Sequence, residues 1–220
     1  MASPLIVQPC TIDTTLNQDQ PTTNFGTLDW VQPVSKVNNG NARAILEFSI
    51  SALPVGATIT GATLELYYMY KDGDPSGQTI WAYKLTRQDW DETTSTWNRY
   101  KALTNWTTAG GDYVTTAPAG GSTTFPAGFA WMSWDVTAIV QDAYTNSLKA
   151  EFLIRYETEE ANPYSSGAFH SRHYATDTTK RPKLTITYTE GGSVVVRNKF
   201  LSYGREPIKR MVFHKRLLLK

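Results

Sequence analysis

At 220 residues, 40% apolar and 12% aromatic, with a formal net charge of +1, the chain can bury a sizeable core and is too apolar for a disordered segment. Its one cysteine, Cys10, excludes an intramolecular disulfide framework. No apolar run approaches the roughly 20 residues that span a bilayer. Met1–Pro9 lacks the basic and apolar regions of a leader, which predicts cytoplasmic synthesis without export by the common route.

In chain order, residues 1–10 form a short N-terminal segment. Strict alternation then recurs. Residues 43–50 place Leu46, Phe48 and Ile50 on one face, with Glu47 and Ser49 opposite. Residues 62–70 place Leu64, Leu66, Tyr68 and Tyr70 on one face, with Thr63, Glu65, Tyr67 and Met69 on the other. Residues 80–86 set Trp81, Tyr83 and Leu85 against Ala82 and Lys84. Turn signals separate these runs at Leu53-Pro54-Val55-Gly56 and Asp72-Gly73-Asp74-Pro75-Ser76-Gly77.

The string Trp90-Asp91-Glu92-Thr93-Thr94-Ser95-Thr96-Trp97-Asn98 reads as a corner, with carboxylates bonding backbone amides between two core tryptophans. Residues 104–128, rich in Thr, Gly, Ala and Pro, read as a long surface loop. Trp134 is a core residue, and residues 135–144 suit one short helix capped by Asp135 or Thr137, with Ile139, Val140 and Ala143 on one stripe. Two more alternating runs follow, with Phe152, Ile154 and Tyr156 on one face and then Leu184, Ile186 and Tyr188.

The pattern predicts an all-β jelly-roll β-sandwich of two antiparallel sheets over residues 11–190, with one short helix and a C-terminal extension. Leu46, Phe48, Leu64, Leu66, Leu85, Phe152, Ile154, Leu184 and Ile186 should fill one core. Residues 191–220 break from this style after Glu190-Gly191-Gly192. They carry Arg197, Lys199, Arg205, Lys209, Arg210, Lys215, Arg216 and Lys220 against Glu206 alone.

From about Thr11 to Thr189 the chain resembles the DNRLRE domain family, which groups with carbohydrate-binding modules and disaggregatase-related repeats. The matching pieces, in family order, begin with Asp13-Thr14-Thr15, Thr23-Asn24-Phe25-Gly26 and Arg43-Ala44-Ile45-Leu46-Glu47-Phe48. Residues 53–67, the Trp90 corner, Trp134-Asp135-Val136-Thr137 and Arg181-Pro182-Lys183-Leu184-Thr185-Ile186-Thr187-Tyr188 complete the set. The resemblance implies a jelly roll without catalytic activity, found on cell-surface proteins, polysaccharide-active enzymes and bacteriophage structural proteins.

No cofactor is expected beyond a structural calcium. The resemblance makes that ion plausible, and Asp13, Asp19, Asn24 and Asp29 are its candidate ligands. In His170-Ser171-Arg172-His173 the two histidines face opposite sides of a strand and do not converge on a metal. Sugar rings stack on exposed aromatics, for which Trp30, Tyr67, Trp106 and Tyr113 are the candidates.

The tail is too apolar for a solvated arm. Val212, Phe213, Leu217, Leu218 and Leu219 would anchor it on another protein, with Lys209, Arg210, Lys215 and Arg216 at the rim. Nucleic acid is disfavoured as a partner, because folded basic arms carry fewer aliphatics. The first reading is therefore a non-enzymatic virion component made in a host cytoplasm: a capsid decoration, head-fibre or tail-associated protein docked on other virion proteins. The alternative is a carbohydrate-binding module or adhesin at a cell surface or outside the cell, with glycans as partners.

Overall fold

A computed structural model describes residues 4–116 and 121–191. The docking residues expected in the tail, Val212, Phe213, Leu217, Leu218, Leu219, Lys209, Arg210, Lys215 and Arg216, lie outside the described residues. The described strands are β1 (Leu5–Val7), β2 (Ile12–Asn17), β3 (Trp30–Val31), β4 (Val34–Ser35), β5 (Ala42–Ser49), β6 (Thr58–Asp72) and β7 (Thr79–Lys84). After them come β8 (Arg99–Lys101), β9 (Thr104–Asn105), β10 (Ser122–Thr124), β11 (Trp131–Asp135), β12 (Lys149–Tyr156), β13 (Ser165–His170) and β14 (Lys183–Thr189). One α-helix, α1 (Thr137–Asn146), separates β11 from β12.

Every strand pairing is antiparallel, as an all-β sandwich requires. The first sheet runs β1-β14-β6-β11. The second runs from the end of β6 through β13, β4, β5, β12 and β7 to β10, with β2 also paired to β5. The 15-residue β6 serves both sheets, its early residues in the first and Tyr68 to Asp72 in the second. Alternation drives Leu46, Phe48, Leu64, Leu66, Phe152, Ile154, Leu184 and Ile186 into the layer between them, each 0% exposed. Helix α1 buries Ile139, Val140 and Ala143 on that core. The Asp135 carboxylate accepts the Thr137 N–H at its start, at 3.0 Å. No described helix is long and apolar enough to cross a membrane.

The structure departs from simple alternation in two places. First, the outer face of the second sheet is not solvated. Residues 86–113 fold over it, and Leu16, Ile45, Tyr83, Leu85, Trp90, Trp97, Tyr100, Trp106 and Leu153 make a second core. Leu85 belongs to that core and not to the central one. The stretch expected to be a surface loop from residue 104 supplies Trp106 to the second core and Phe125 to the first. Second, Tyr70 does not point inward with Leu66 and Tyr68 but is 49% exposed. Phe169 pairs with Tyr68 while Ala168 pairs with Tyr70, so β6 carries one extra residue, Met69. Such a bulge reverses the side-chain alternation beyond it.

The second core encloses two carboxyl groups. Glu47 on β5 and Glu151 on β12 are directly opposed and 4% and 2% exposed. Lys149 Nζ pairs with Glu47 at 2.9 Å, and Trp90 Nε1 donates to Glu151 at 3.1 Å. Burial, and next the Glu47 carboxylate, push the Glu151 carboxyl up to about 8.

The central core predicts that Leu66→Ala costs about 2–5 kcal/mol in chemical denaturation. An unchanged midpoint would refute the register of β6. The Glu47–Glu151 pair predicts a pH dependence. The folded chain holds the Glu151 proton more tightly than the unfolded chain, so this contribution is intact below the ordinary value of 4.5 and is lost as pH rises to about 8. Glu151→Gln should therefore melt above the wild type at about pH 9 and close to it at about pH 4. A constant difference across that range would show that Glu151 does not carry the proton.

Candidate functional site

Exposed aromatic faces are the chemistry a sugar recognises, and the fold sorts the aromatics into packed and free rings. Trp106 is 5% exposed, tilted against Tyr100 and tied through Nε1 to the Thr96 carbonyl at 2.9 Å. It has no face to offer. Tyr113 lies over the second core, half-buried. The Arg43 guanidinium sits 5.4 Å from its ring centre, and Arg155 donates to its hydroxyl at 2.9 Å. Tyr113 lines a cleft of about 480 Å³ with Arg43, Arg87, Thr86, Thr108 and Asp112. Arg43 is held there by both oxygens of Glu159, at 2.8 Å each.

Tyr67 points outward from the first sheet but is also engaged. Lys180 Nζ lies 4.7 Å from its ring centre, His170 stacks beside it at 5.7 Å, and Trp131 meets it edge-on at 5.5 Å. Tyr174 covers His170 at 3.5 Å. Burial, and after it the Lys180 charge, lower the affinity of His170 for a proton. Lys183 in turn sits 4.8 Å over Trp131. Trp131 is outward because Met132 and Trp134 of the same strand are buried. That parity was available in the sequence.

Trp30 differs from these. It is 37% exposed and stacks on no other aromatic among the described residues; the same holds for Tyr70. Both line one open cleft of about 480 Å³, with Gln32, Met69, Asp72 and Ala168. Each wall has a structural cause. Trp30 pairs with His170 across β3 and β13, which sends Val31 into the core and Trp30 outward. The Met69 bulge turns Tyr70 and Asp72 to the same side. Gln32 is fixed by its side-chain donation to Ser166 Oγ at 2.7 Å and by Thr15 Oγ1 accepting its N–H at 2.9 Å. The Asp72 carboxylate bonds the Tyr164 hydroxyl and raises its proton affinity. The cleft thus has apolar, aromatic walls and polar edges, the make-up of a small-ligand site.

The four calcium candidates are not gathered. Asp19 is exposed and pairs with Lys36 at 3.1 Å. Asn24 spends its amide on the carbonyls of Glu92 and Ser95, at 2.8 and 2.7 Å, and accepts from Gly26. Asp29 is exposed, and its carbonyl accepts the Ser171 N–H at 3.0 Å. Asp13 is the one of the four that clusters with further potential ligands, Glu92 and His173, beside Arg172. Glu92 Oε1 accepts from Asp13 N at 2.9 Å and Arg172 Nε at 2.7 Å, and lies 3.3 Å from His173 Nε2. Burial pushes the Asp13 carboxyl up to about 6. The two histidines do diverge, His170 into the aromatic stack and His173 onto Glu92.

The corner carboxylates behave as expected of a bend. Asp91 Oδ1 accepts Thr93 N at 2.8 Å and the hydroxyls of Thr93 and Thr94. Glu92, however, reaches across the molecule, a contact that nothing local in the sequence announces.

Residues 6–188 match the profile of carbohydrate-binding module family 96. No curated protein matches the chain. Among solved structures, the chain is similar to the K1 cleaved adhesin domain of Lys-gingipain from Porphyromonas gingivalis W83, at 11% identity and a TM-score of 0.27. That likeness covers 86% of this chain and 99% of that one.

Proposed function

The chain belongs to carbohydrate-binding module family 96, and on that premise we propose that it is a non-catalytic module that holds a glycan in the cleft between Trp30 and Tyr70. One observation carries the assignment. These two rings keep free faces over a cleft, whereas Tyr67, Trp106 and Tyr113 are packed by their own chain. The C–H face of a pyranose would lie on Trp30 or Tyr70. Its hydroxyls would bond Asp72 and the Gln32 amide at the edges.

The walls belong to paired strands of the second sheet, so little ordering is needed on binding. Two stacked rings supply modest energy, which places a single site in the millimolar to micromolar range. The family favours this reading, with a cell-surface or extracellular setting, over a virion component docked by residues 193–220. A resemblance to DNRLRE domains is compatible with it.

A glycan array followed by calorimetry on the best neutral and acidic hits tests the proposal. Trp30→Ala and Tyr70→Ala should each weaken binding about tenfold, and the double variant should abolish it at accessible concentrations. Melting temperatures should change little, because both rings are partly solvated. Binding that survives the double variant would place the glycan elsewhere.

A further inference from the structure

We propose that Asp13, Glu92 and His173 bind one divalent transition-metal cation of the zinc class. One ligand atom from each lies within 4.8 Å of those of the other two. They come from β2, from the corner after Trp90 and from the turn after β13, so the site exists only in the folded chain.

The two carboxylates divide their oxygens. Glu92 Oε1 faces Asp13 N, Arg172 Nε and His173 Nε2. Asp13 Oδ2 takes the Cys10 thiol at 3.2 Å and Arg172 N at 2.7 Å. No hydrogen bond among the described residues reaches Glu92 Oε2 or Asp13 Oδ1. Yet Asp13 is 1% exposed and Glu92 8%. Each carboxylate thus keeps one oxygen without a donor, and neither of these two oxygens is sealed from solvent, so a cation can reach both.

Charge points the same way. The Arg172 guanidinium pairs with Glu92, while Asp13 meets Arg172 only at its backbone N–H and forms no ion pair with a lysine or arginine among the described residues. The side chain of His173 is 33% exposed and opens the cluster to solvent, which provides an entry path. Arg172 can remain on Oε1 while the cation takes the free oxygens.

Donor chemistry selects the ion. Calcium takes six to eight oxygens, and this cluster presents two carboxylates and an imidazole. Zinc accepts that mixed set, and with three protein ligands it completes its tetrahedron with water. The ion would cross-link the same segments that Arg172 already ties, so its effect would be on stability.

The test uses the full chain freed of metal by a chelator and titrated calorimetrically with zinc chloride and with calcium chloride. His173→Ala and Asp13→Asn are titrated alongside. His173 is partly solvated, and metal-free thermal unfolding verifies that its variant folds. His214 in the tail is present in both chains and cancels. The expected result is one zinc per chain with a raised melting temperature. Zinc should bind about tenfold or more tighter than calcium, and about tenfold or more weaker in His173→Ala. Absence of saturable zinc binding, equal affinity in His173→Ala, or calcium bound as tightly as zinc would each overturn the proposal.

Discussion

Glu92 is the side chain on which the rest of the molecule leans. Its Oε1 draws in the backbone of Asp13, 79 positions earlier, and the guanidinium of Arg172, 80 positions later. Its carbonyl is held by Asn24. Gly26 passes so close that a Cβ there would stand 1.9 Å from the Glu92 carbonyl oxygen, so no side chain fits at that position. Three distant segments therefore meet at one carboxylate. Loop closure on that scale is costly in entropy, and only a buried, charge-assisted contact with several donors offsets it. Removing one partner would leave an uncompensated charge, which is far worse than never having had the pair.

The consequences run in two directions. Toward the second sheet, the anchored corner starts the segment that closes the second core over β5, β12 and β7. Toward the cleft, Arg172 fixes the turn after β13. Ser171 in that turn donates its hydroxyl to the Leu28 carbonyl and its N–H to the Asp29 carbonyl. The next residue is Trp30. The clamp thus sets the aim of the ring that would carry a sugar, although Glu92 itself is absent from the cleft lining. A site built this way is rigid on its strand side, which suits recognition by shape and stacking.

Much of this was legible in the sequence, and the failures have physical causes. Period-two patterning placed Leu46, Phe48, Leu64, Leu66, Phe152, Ile154, Leu184 and Ile186 in the central core, and the α1 stripe was readable at helical spacing. The second core was not foreseen. Leu153 lies on the face opposite Phe152 and Ile154, and Tyr83 shares the face of Leu85, which was assigned to the central core that Ile80 and Ala82 fill instead. The presence of Leu153 and Tyr83 opposite Phe152 and Ala82 was the available signal that both faces were covered. The Met69 bulge left no mark, since alternation continues through it unbroken and only pairing with β13 reveals the extra residue. Trp30 was one of four aromatics named together as candidate stacking faces, without a sign that set it apart from Tyr67, Trp106 and Tyr113. Its partner Tyr70 was hidden by the bulge. The contacts of Glu92 with Asp13 and Arg172 span too much chain for any local pattern to show.

The central claim is where a glycan sits, and the most direct measurement is a backbone and indole amide NMR titration with a soluble oligosaccharide identified on an array. The account predicts that shift changes concentrate at Trp30, Gln32, Tyr70, Asp72 and Ala168, with the Trp30 indole N–H among the largest. Changes centred instead on Tyr113, Arg87 and Thr108 would contradict it and move the binding surface to the cleft beside the second core.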